Sequence, residues 1–326
     1  MHILWSFTVL VIGIILLWKG ADWLVVGAVA LAERFGVSPL IIGLTIVAMG
    51  TSAPEMAASI AAVFMPKGGD IALGNICGSN IANLALVGGA ITLIRPLEIK
   101  KQVLLREFPL MIGVALVLWV ILIDSAVTRV EAAILLASFA LLGLVTVLAA
   151  IKRPPPQEFQ PDDTRQTQNS QNGSSIAKPV FLIVLGLSGL TIGAKLALKG
   201  SVTIGYWLGI PEAAIGIGII AVGTSLPELV TCVVAMTKGH QDISIGNLVG
   251  SNIFNTLLVT GSAGVTMPFK VSARFAGGVD YWAMVCISIL FWILAVLGRG
   301  KIGRITGSVL MIIYVGYITY TSTRIQ

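Results

Sequence analysis

Apolar segments long enough to cross a bilayer recur along almost the whole chain, and they restrict its fold more than any other feature. A membrane-spanning helix needs about 20 consecutive apolar residues, whereas helices of soluble domains average about 10 to 14 residues. Of the 326 residues, 56% are hydrophobic and 11% are charged, against about 25% charged in soluble domains. The sequence therefore predicts an all-α polytopic membrane protein surrounded by lipid bilayer.

We predict ten transmembrane helices, at residues 3–33, 38–64, 71–94, 104–123, 128–151, 179–208, 212–237, 243–266, 277–297 and 302–322. Basic residues in the short loops predict the orientation of these helices. With the N-terminus outside, thirteen Lys and Arg residues fall in inner loops and five fall outside. Both termini are thus expected outside a cell (inner) membrane. The net charge of +6 belongs to these loops and does not indicate a nucleic-acid partner.

The two halves of the chain align with each other at an offset of 173 residues. Between residues 20–55 and 193–228, 14 of 36 positions are identical. Each half has five predicted spans, and this odd number predicts that the second copy enters the membrane inverted, as in many secondary transporters. The expected organisation is a five-helix repeat at 1–151, a cytoplasmic linker at 152–178 and an inverted five-helix repeat at 179–326. The linker contains three consecutive prolines and a polar run that cannot form a core.

The first repeated motif interrupts predicted helices 2 and 7. It reads Gly-Thr-Ser-Ala-Pro-Glu at 50–55 and Gly-Thr-Ser-Leu-Pro-Glu at 223–228. Proline lacks the N–H that continues a helix, so these helices are expected to be broken. Glu55 and Glu228 lie one turn after a threonine on the same face. A carboxylate near the bilayer centre costs at least ~2.5 kcal/mol, so a functional role is favoured; the alternative is a structural kink, which does not require glutamate.

The second motif spans 74–83 and 246–255, Gly-Asn-Ile-Cys-Gly-Ser-Asn-Ile-Ala-Asn in the first copy. Its GxxxG spacing suits close helix packing, while its polar residues recur on a neighbouring face. Amide and hydroxyl oxygens suit sodium or calcium and suit zinc or copper poorly. We predict cation ligation by Ser79, Asn83, Ser251 and Asn255. Helix-to-helix hydrogen bonding is an equally open role for Asn75, Asn80, Asn247 and Asn252.

These paired segments resemble the alpha repeats of the calcium/cation antiporter superfamily, in its sodium/calcium exchanger branch, and the resemblance covers both halves. It implies that Glu55 and Glu228 face each other as shared ligands of alternating sodium and calcium. It further implies ligands at the hydroxyls of Thr51, Ser52, Thr224, Ser225, Ser79 and Ser251, the carbonyls of Ala48 and Ala221, and the central positions Asn83 and Asn255. Some relatives carry aspartate at one of these two central positions, whereas this sequence has asparagine at both.

The predicted function is a secondary antiporter in which sodium entry drives calcium out, with a monomer sufficient for transport. The chain has no P-loop and no HExxH, GxSxG or GxGD motif, so we expect no nucleotide, no cofactor and no enzymatic activity. A proton-coupled antiporter of the same fold is the alternative. That branch typically has an acid soon after the Gly-Asn of its repeats, and none follows here. A non-transporting membrane sensor would be distinguished by ion flux.

Charged residues within the first and sixth spans suggest structural roles. Lys19 and Asp22, three residues apart, suit an internal ion pair or a tether to the interface. The sequence provides no obvious partner for Lys195 and Lys199.

Overall fold

The structure is a computed structural model that describes residues 2–152, 176–209 and 221–324. The predicted linker at 152–178 and the first part of the predicted seventh span fall largely outside these residues. The described chain is mainly helical. Its helices are α1 (His2–Phe35), α2 (Pro39–Thr51), α3 (Ala53–Ala62), α4 (Gly68–Ile94), α5 (Val103–Asp124), α6 (Arg129–Lys152), α7 (Ala177–Trp207), α8 (Ala221–Thr224), α9 (Leu226–Thr237), α10 (Gln241–Thr266), α11 (Val279–Leu297) and α12 (Arg304–Arg324).

The protein is an integral membrane protein. Among the described residues, seven helices are long and apolar enough to cross a membrane, and α2 with α3 makes an eighth if the bent pair is one span. The predicted seventh span is described only from Ala221, where α8 and the short apolar α9 represent it. The predicted tenth span corresponds to α12, which is helical but less apolar than the others because it contains several Thr, Tyr and Gly residues.

Helices α1 and α7 pack against each other along their length through glycines. A Cβ atom added to Gly20 would lie 2.6 Å from the backbone nitrogen of Leu190, and one added to Gly193 would lie 2.7 Å from that of Leu17. Such contacts let two helix backbones approach closely without side chains between them. The glycines recur every seven residues and match across the 173-residue offset: Gly13, Gly20 and Gly27 on α1, and Gly186, Gly193 and Gly200 on α7.

Two short antiparallel ribbons join the halves of the chain. Strand β1 (Leu97–Glu98) pairs with β4 (Lys301–Ile302), and β2 (Ala126–Val127) pairs with β3 (Phe269–Lys270). Strand β1 lies between α4 and α5, whereas its partner β4 lies between α11 and α12. An ion pair also joins these two strands, with Lys301 Nζ 2.9 Å from Glu98 Oε1. Each ribbon therefore ties a connection of the first half to a different connection of the second.

Of the two roles suggested for Lys19 and Asp22, the internal ion pair is not present. Asp22 pairs instead with Lys238, at the end of α9. The carboxylate of Asp22 is half-buried, whereas Lys19 is exposed on the outside of α1. Lys195 and Lys199 are also exposed, and among the described residues none of the three lysines has an ion-pair partner.

Candidate functional site

Both predicted helix breaks are present, and each falls at the serine of the first motif. Helices α2 and α3 meet at Ser52 with a bend of 41°, and α8 and α9 meet at Ser225. Pro54 and Pro227 occupy the first turn of the following helix, where the missing N–H would have had no helical partner. The breaks place a glutamate in each first turn, at the positive end of the helix dipole.

The two glutamates, Glu55 and Glu228, are buried, with 1% of each residue exposed, and their carboxyl groups are close enough to interact electrostatically. Ser52 Oγ donates a hydrogen bond of 3.1 Å to Glu228 Oε1. Among the described residues, Glu228 Oε2 and both carboxyl oxygens of Glu55 have no hydrogen-bond partner. The break of the first half thus contacts the glutamate of the second half, and three carboxyl oxygens are left for another ligand.

Helices α4 and α10 bring the second motif to the same place. Ser79, Asn83, Ser251 and Asn255 are all buried. The hydroxyl of Ser79, both amide atoms of Asn83 and Oδ1 of Asn255 have no partner among the described residues, while Ser251 Oγ lies 3.5 Å from Asn247 Oδ1. The backbone widens to a π-helix at Ala82–Val87 and Asn255–Val259, a distortion frequent at functional sites.

The other predicted ligands lie at the helix breaks. Thr51 Oγ1 is 3.1 Å from Asn247 Oδ1 and 3.4 Å from the Ala48 carbonyl oxygen, and its side chain also interacts with Glu228. Ala48 is fully buried. In the second half, Ala221 begins α8 and Thr224 ends it, with a half-buried side chain. Ser225 is buried, and its hydroxyl has no partner among the described residues.

Three of the four neighbouring asparagines, Asn75, Asn80 and Asn247, make the helix-to-helix hydrogen bonds that were one of their two predicted roles, whereas Asn252 donates to a carbonyl of its own helix. Asn75 Nδ2 donates to the Glu55 carbonyl oxygen at 3.1 Å and to Ser59 Oγ at 2.9 Å, which ties α4 to α3. Asn247 Nδ2 donates to Cys232 Sγ at 3.4 Å, which ties α10 to α9 at the equivalent place.

Comparison with known proteins identifies the family. A family model described as sodium/calcium exchanger protein matches residues 5–148 and 178–323. The chain belongs to the sodium/calcium exchanger family. The resemblance inferred from its two motifs is therefore confirmed.

Individual relatives of this exchanger-family chain match over nearly their full length. It is 38% identical over 311 residues to a putative antiporter, CaxA, of Alkalimonas amylolytica. This alignment covers 94% of this chain and 95% of CaxA. It is 33% identical over 344 residues to the sodium/calcium exchanger MaX1 of Methanosarcina acetivorans. This alignment covers 96% of this chain and 97% of MaX1. The solved structure of the sodium-calcium exchanger NCX_Mj without sodium and calcium superimposes with a TM-score of 0.81 at 28% identity, covering 98% of this chain and 99% of that one.

Comparison of the two halves of this exchanger-family chain did not identify Thr231 and Thr256 as candidate site residues. The reason is that the first half has an apolar residue at each equivalent position. Thr231, three residues after Glu228 and fully buried, has a hydroxyl with no partner among the described residues, and Ala58 is its counterpart. Thr256 follows Asn255, and Leu84 is its counterpart. Helical spacing from Glu228 was the signal that could have identified Thr231.

The chemistry of this exchanger-family site is that of hard oxygen donors. Within the described residues, no three His, Cys, Asp or Glu side chains come together as a metal-binding group. The oxygens around the two carboxylates therefore come from hydroxyls, amides and the backbone, which suit calcium and sodium.

Proposed function

We propose that this protein is a secondary antiporter that exchanges sodium for calcium across the membrane by alternating access. The observation that carries the proposal is the meeting of two buried carboxylates, Glu55 and Glu228, at two helix breaks, with three of their four oxygens unpartnered among the described residues. Two ionised carboxylates in a membrane are costly without a counter-charge. One calcium ion balances both charges, and sodium ions replace it in the return step.

The proposed ligands are the hydroxyl, amide and carbonyl oxygens that surround these carboxylates. They comprise Thr51, Ser52, Ser79, Asn83 and the Ala48 carbonyl from the first half, and Thr224, Ser225, Ser251, Asn255 and the Ala221 carbonyl from the second. One copy of the chain contains the whole set, so we propose that a monomer suffices for transport.

We also propose that residues 1–151 and 179–326 are inverted five-helix repeats, giving ten spans. The two ribbons support this. Strand β1 lies in the connection between the third and fourth spans of its half, and it pairs with β4, which lies between the fourth and fifth spans of the other half. The β2–β3 pair has the reciprocal arrangement. Successive connections between spans alternate between the two sides of a membrane. If the two halves had the same orientation, the paired strands would therefore lie on opposite sides of the bilayer and could not pair.

The charge distribution supports a particular sidedness. The connections around β1 and β4 carry many of the lysines and arginines of the chain, which favours a cytoplasmic position for that ribbon. We therefore propose that the linker at 152–178 is cytoplasmic and that both termini lie outside the cell membrane.

Calcium flux into proteoliposomes tests the proposed exchange. Vesicles containing the purified protein are loaded with sodium and diluted into sodium-free medium with calcium, and proton and potassium gradients are imposed in separate runs. We expect calcium uptake that follows the outward sodium gradient and stops when that gradient is dissipated. Uptake driven by a proton gradient alone would identify the proton-coupled alternative, and the absence of flux under every gradient would overturn the antiporter assignment.

A further inference from the structure

Asn255 can bind a cation in only one orientation of its side-chain amide. The oxygen of the amide accepts and can bind a cation, whereas the NH₂ group donates and cannot. We propose that Thr256 is a positioning residue that, through Asn80, turns the amide of Asn255 so that its oxygen faces the cation. This inference rests on the proposed cation site between Glu55 and Glu228. It assigns a role to two residues outside the predicted ligand set.

The hydrogen-bond chain begins at a backbone carbonyl, which can only accept. Thr256 Oγ1 donates its single proton to the Asn252 carbonyl oxygen at 2.8 Å. Its hydroxyl therefore offers a lone pair to the next group, and Asn80 Nδ2 donates to it at 3.1 Å. The same Nδ2 lies 3.3 Å from Met284 Sδ, a second group that only accepts. Both neighbours thus hold the NH₂ of Asn80 on their side.

The orientation of Asn80 then fixes that of Asn255. With its NH₂ held by Thr256, Asn80 presents Oδ1 to Asn255, whose Nδ2 donates to it at 3.1 Å. The remaining end of Asn255 is Oδ1, which is buried and has no partner among the described residues. A reversed chain would point the NH₂ of Asn255 at the cation and would set the Asn80 oxygen against the lone pairs of Met284.

The first half of the chain lacks this arrangement, although the sequence repeat supplies most of its residues. Leu84 stands where the second half has Thr256. Asn252, the counterpart of Asn80, donates to the Leu248 carbonyl of its own helix at 2.6 Å. Both amide atoms of Asn83 are without a partner among the described residues. The amide of Asn255 is therefore pre-oriented by hydrogen bonds, and that of Asn83 is not.

Thr256→Val tests the inference, because it removes the hydroxyl and nearly keeps the shape of the side chain. We expect the calcium concentration for half-saturation to rise roughly threefold to tenfold, the effect of losing one orienting hydrogen bond. Thr256→Ser retains the hydroxyl and should bind calcium as the wild type does. Thr92→Val is the matched control, since Thr92 is also buried and donates to a carbonyl of its own helix, that of Gly89 at 2.7 Å.

The decisive comparison repeats Thr256→Val in an Asn255→Asp background. A carboxylate accepts through both oxygens and has no NH₂ to donate to Asn80 Oδ1, so Thr256 should no longer orient residue 255 for the cation. Calcium binding to purified protein and calcium uptake into vesicles are measured for the wild type, the two single variants and the double variant, with thermal unfolding as a check on folding. With aspartate at 255, we expect Thr256→Val to raise the calcium concentration for half-saturation by less than about twofold. An equal loss in both backgrounds, or no loss in either, would overturn the inference. A wild-type protein that neither binds nor transports calcium would instead refute the proposed function.

Discussion

Replacing Glu55 by glutamine removes one of the two buried carboxylates and keeps the size of the side chain. Neither carboxyl oxygen of Glu55 has a partner among the described residues, so the substitution breaks no hydrogen bond seen around that group. Its effect should therefore fall on the cation. Glutamine also replaces one accepting oxygen by an NH₂ group, which cannot coordinate calcium. The same reasoning applies to Glu228, with the difference that Ser52 donates to one of its oxygens.

The expected loss of calcium affinity follows from the burial of the two glutamates, each of which is 1% exposed. Removing one carboxylate from a buried, charge-balanced group of two carboxylates and one calcium ion costs about 3–5 kcal/mol, because one charge of the ion is left uncompensated. This corresponds to roughly a 150-fold to 5,000-fold loss of calcium affinity. We therefore expect Glu55→Gln and Glu228→Gln each to abolish exchange at calcium concentrations that saturate the wild type.

The assay measures sodium-driven calcium uptake into proteoliposomes and calcium binding by the purified variants. Glu33→Gln, at an exposed position near the end of α1, is the matched control and should transport normally. Without cations, Glu55→Gln should unfold at a temperature equal to or above that of the wild type, because one buried charge is gone. Half-saturation within threefold of the wild type would refute the assignment of Glu55 as a ligand. Loss of transport with a lowered unfolding temperature would indicate a folding defect instead.

Three further predictions follow from the topology, the charges and the packing. In a background without native cysteines, Met65→Cys should react with an impermeant maleimide from outside and Thr237→Cys should not; equal labelling in intact cells would contradict the inverted repeat. Calcium uptake at a fixed sodium gradient should fall from about pH 9 to about pH 6, because protons compete with calcium for the two site carboxylates, and Asn255→Asp should shift this profile. Identical pH profiles for the wild type and Asn255→Asp, or faster wild-type uptake in acid, would contradict a two-carboxylate site. Gly246→Ala should lower stability by about 1–3 kcal/mol, because its Cβ would lie 2.6 Å from a backbone oxygen of α2. Gly113→Ala is its control, since outside its own helical turn no described atom lies within 4 Å of the added Cβ; equal melting temperatures for the two variants would refute the packing argument.

The helices and the two breaks could be predicted because their signals are local. A run of apolar residues specifies a membrane helix by itself, and a proline inside such a run removes a hydrogen bond wherever the helix packs. The structure gives the position of each break, which falls at Ser52 and at Ser225, between the glycine and the proline of the motif. Helix limits shifted by a few residues. For example, α4 begins at Gly68 rather than at residue 71, directly after the left-handed backbone of Lys67.

The contacts between distant residues could not be predicted in the same way. Asp22 has a lysine within one helical turn, yet it pairs with Lys238, more than 200 residues away in the chain. The two-residue strands of the ribbons carry no periodicity that a sequence could reveal. Their pairing depends on how the two halves fit together, and this is set by tertiary packing. The role proposed for Thr256 is likewise visible only once Asn80 and Asn255 are seen side by side.

A repeated sequence has produced a site whose two halves are unequal. Ser52 bonds to Glu228, whereas the equivalent Ser225 has no partner among the described residues. The amide of Asn255 is likewise tied to its neighbour, whereas that of Asn83 has no partner there. In the proposed site, a cation that approaches Glu55 therefore meets carboxyl oxygens with no hydrogen bond to break, whereas Glu228 and Asn255 of the second half are already held by hydrogen bonds. Inverted repeats provide the two-fold arrangement that alternating access requires. We propose that single differences, such as Leu84 in the place of Thr256, let the two halves hold the same ion with different degrees of preorganisation.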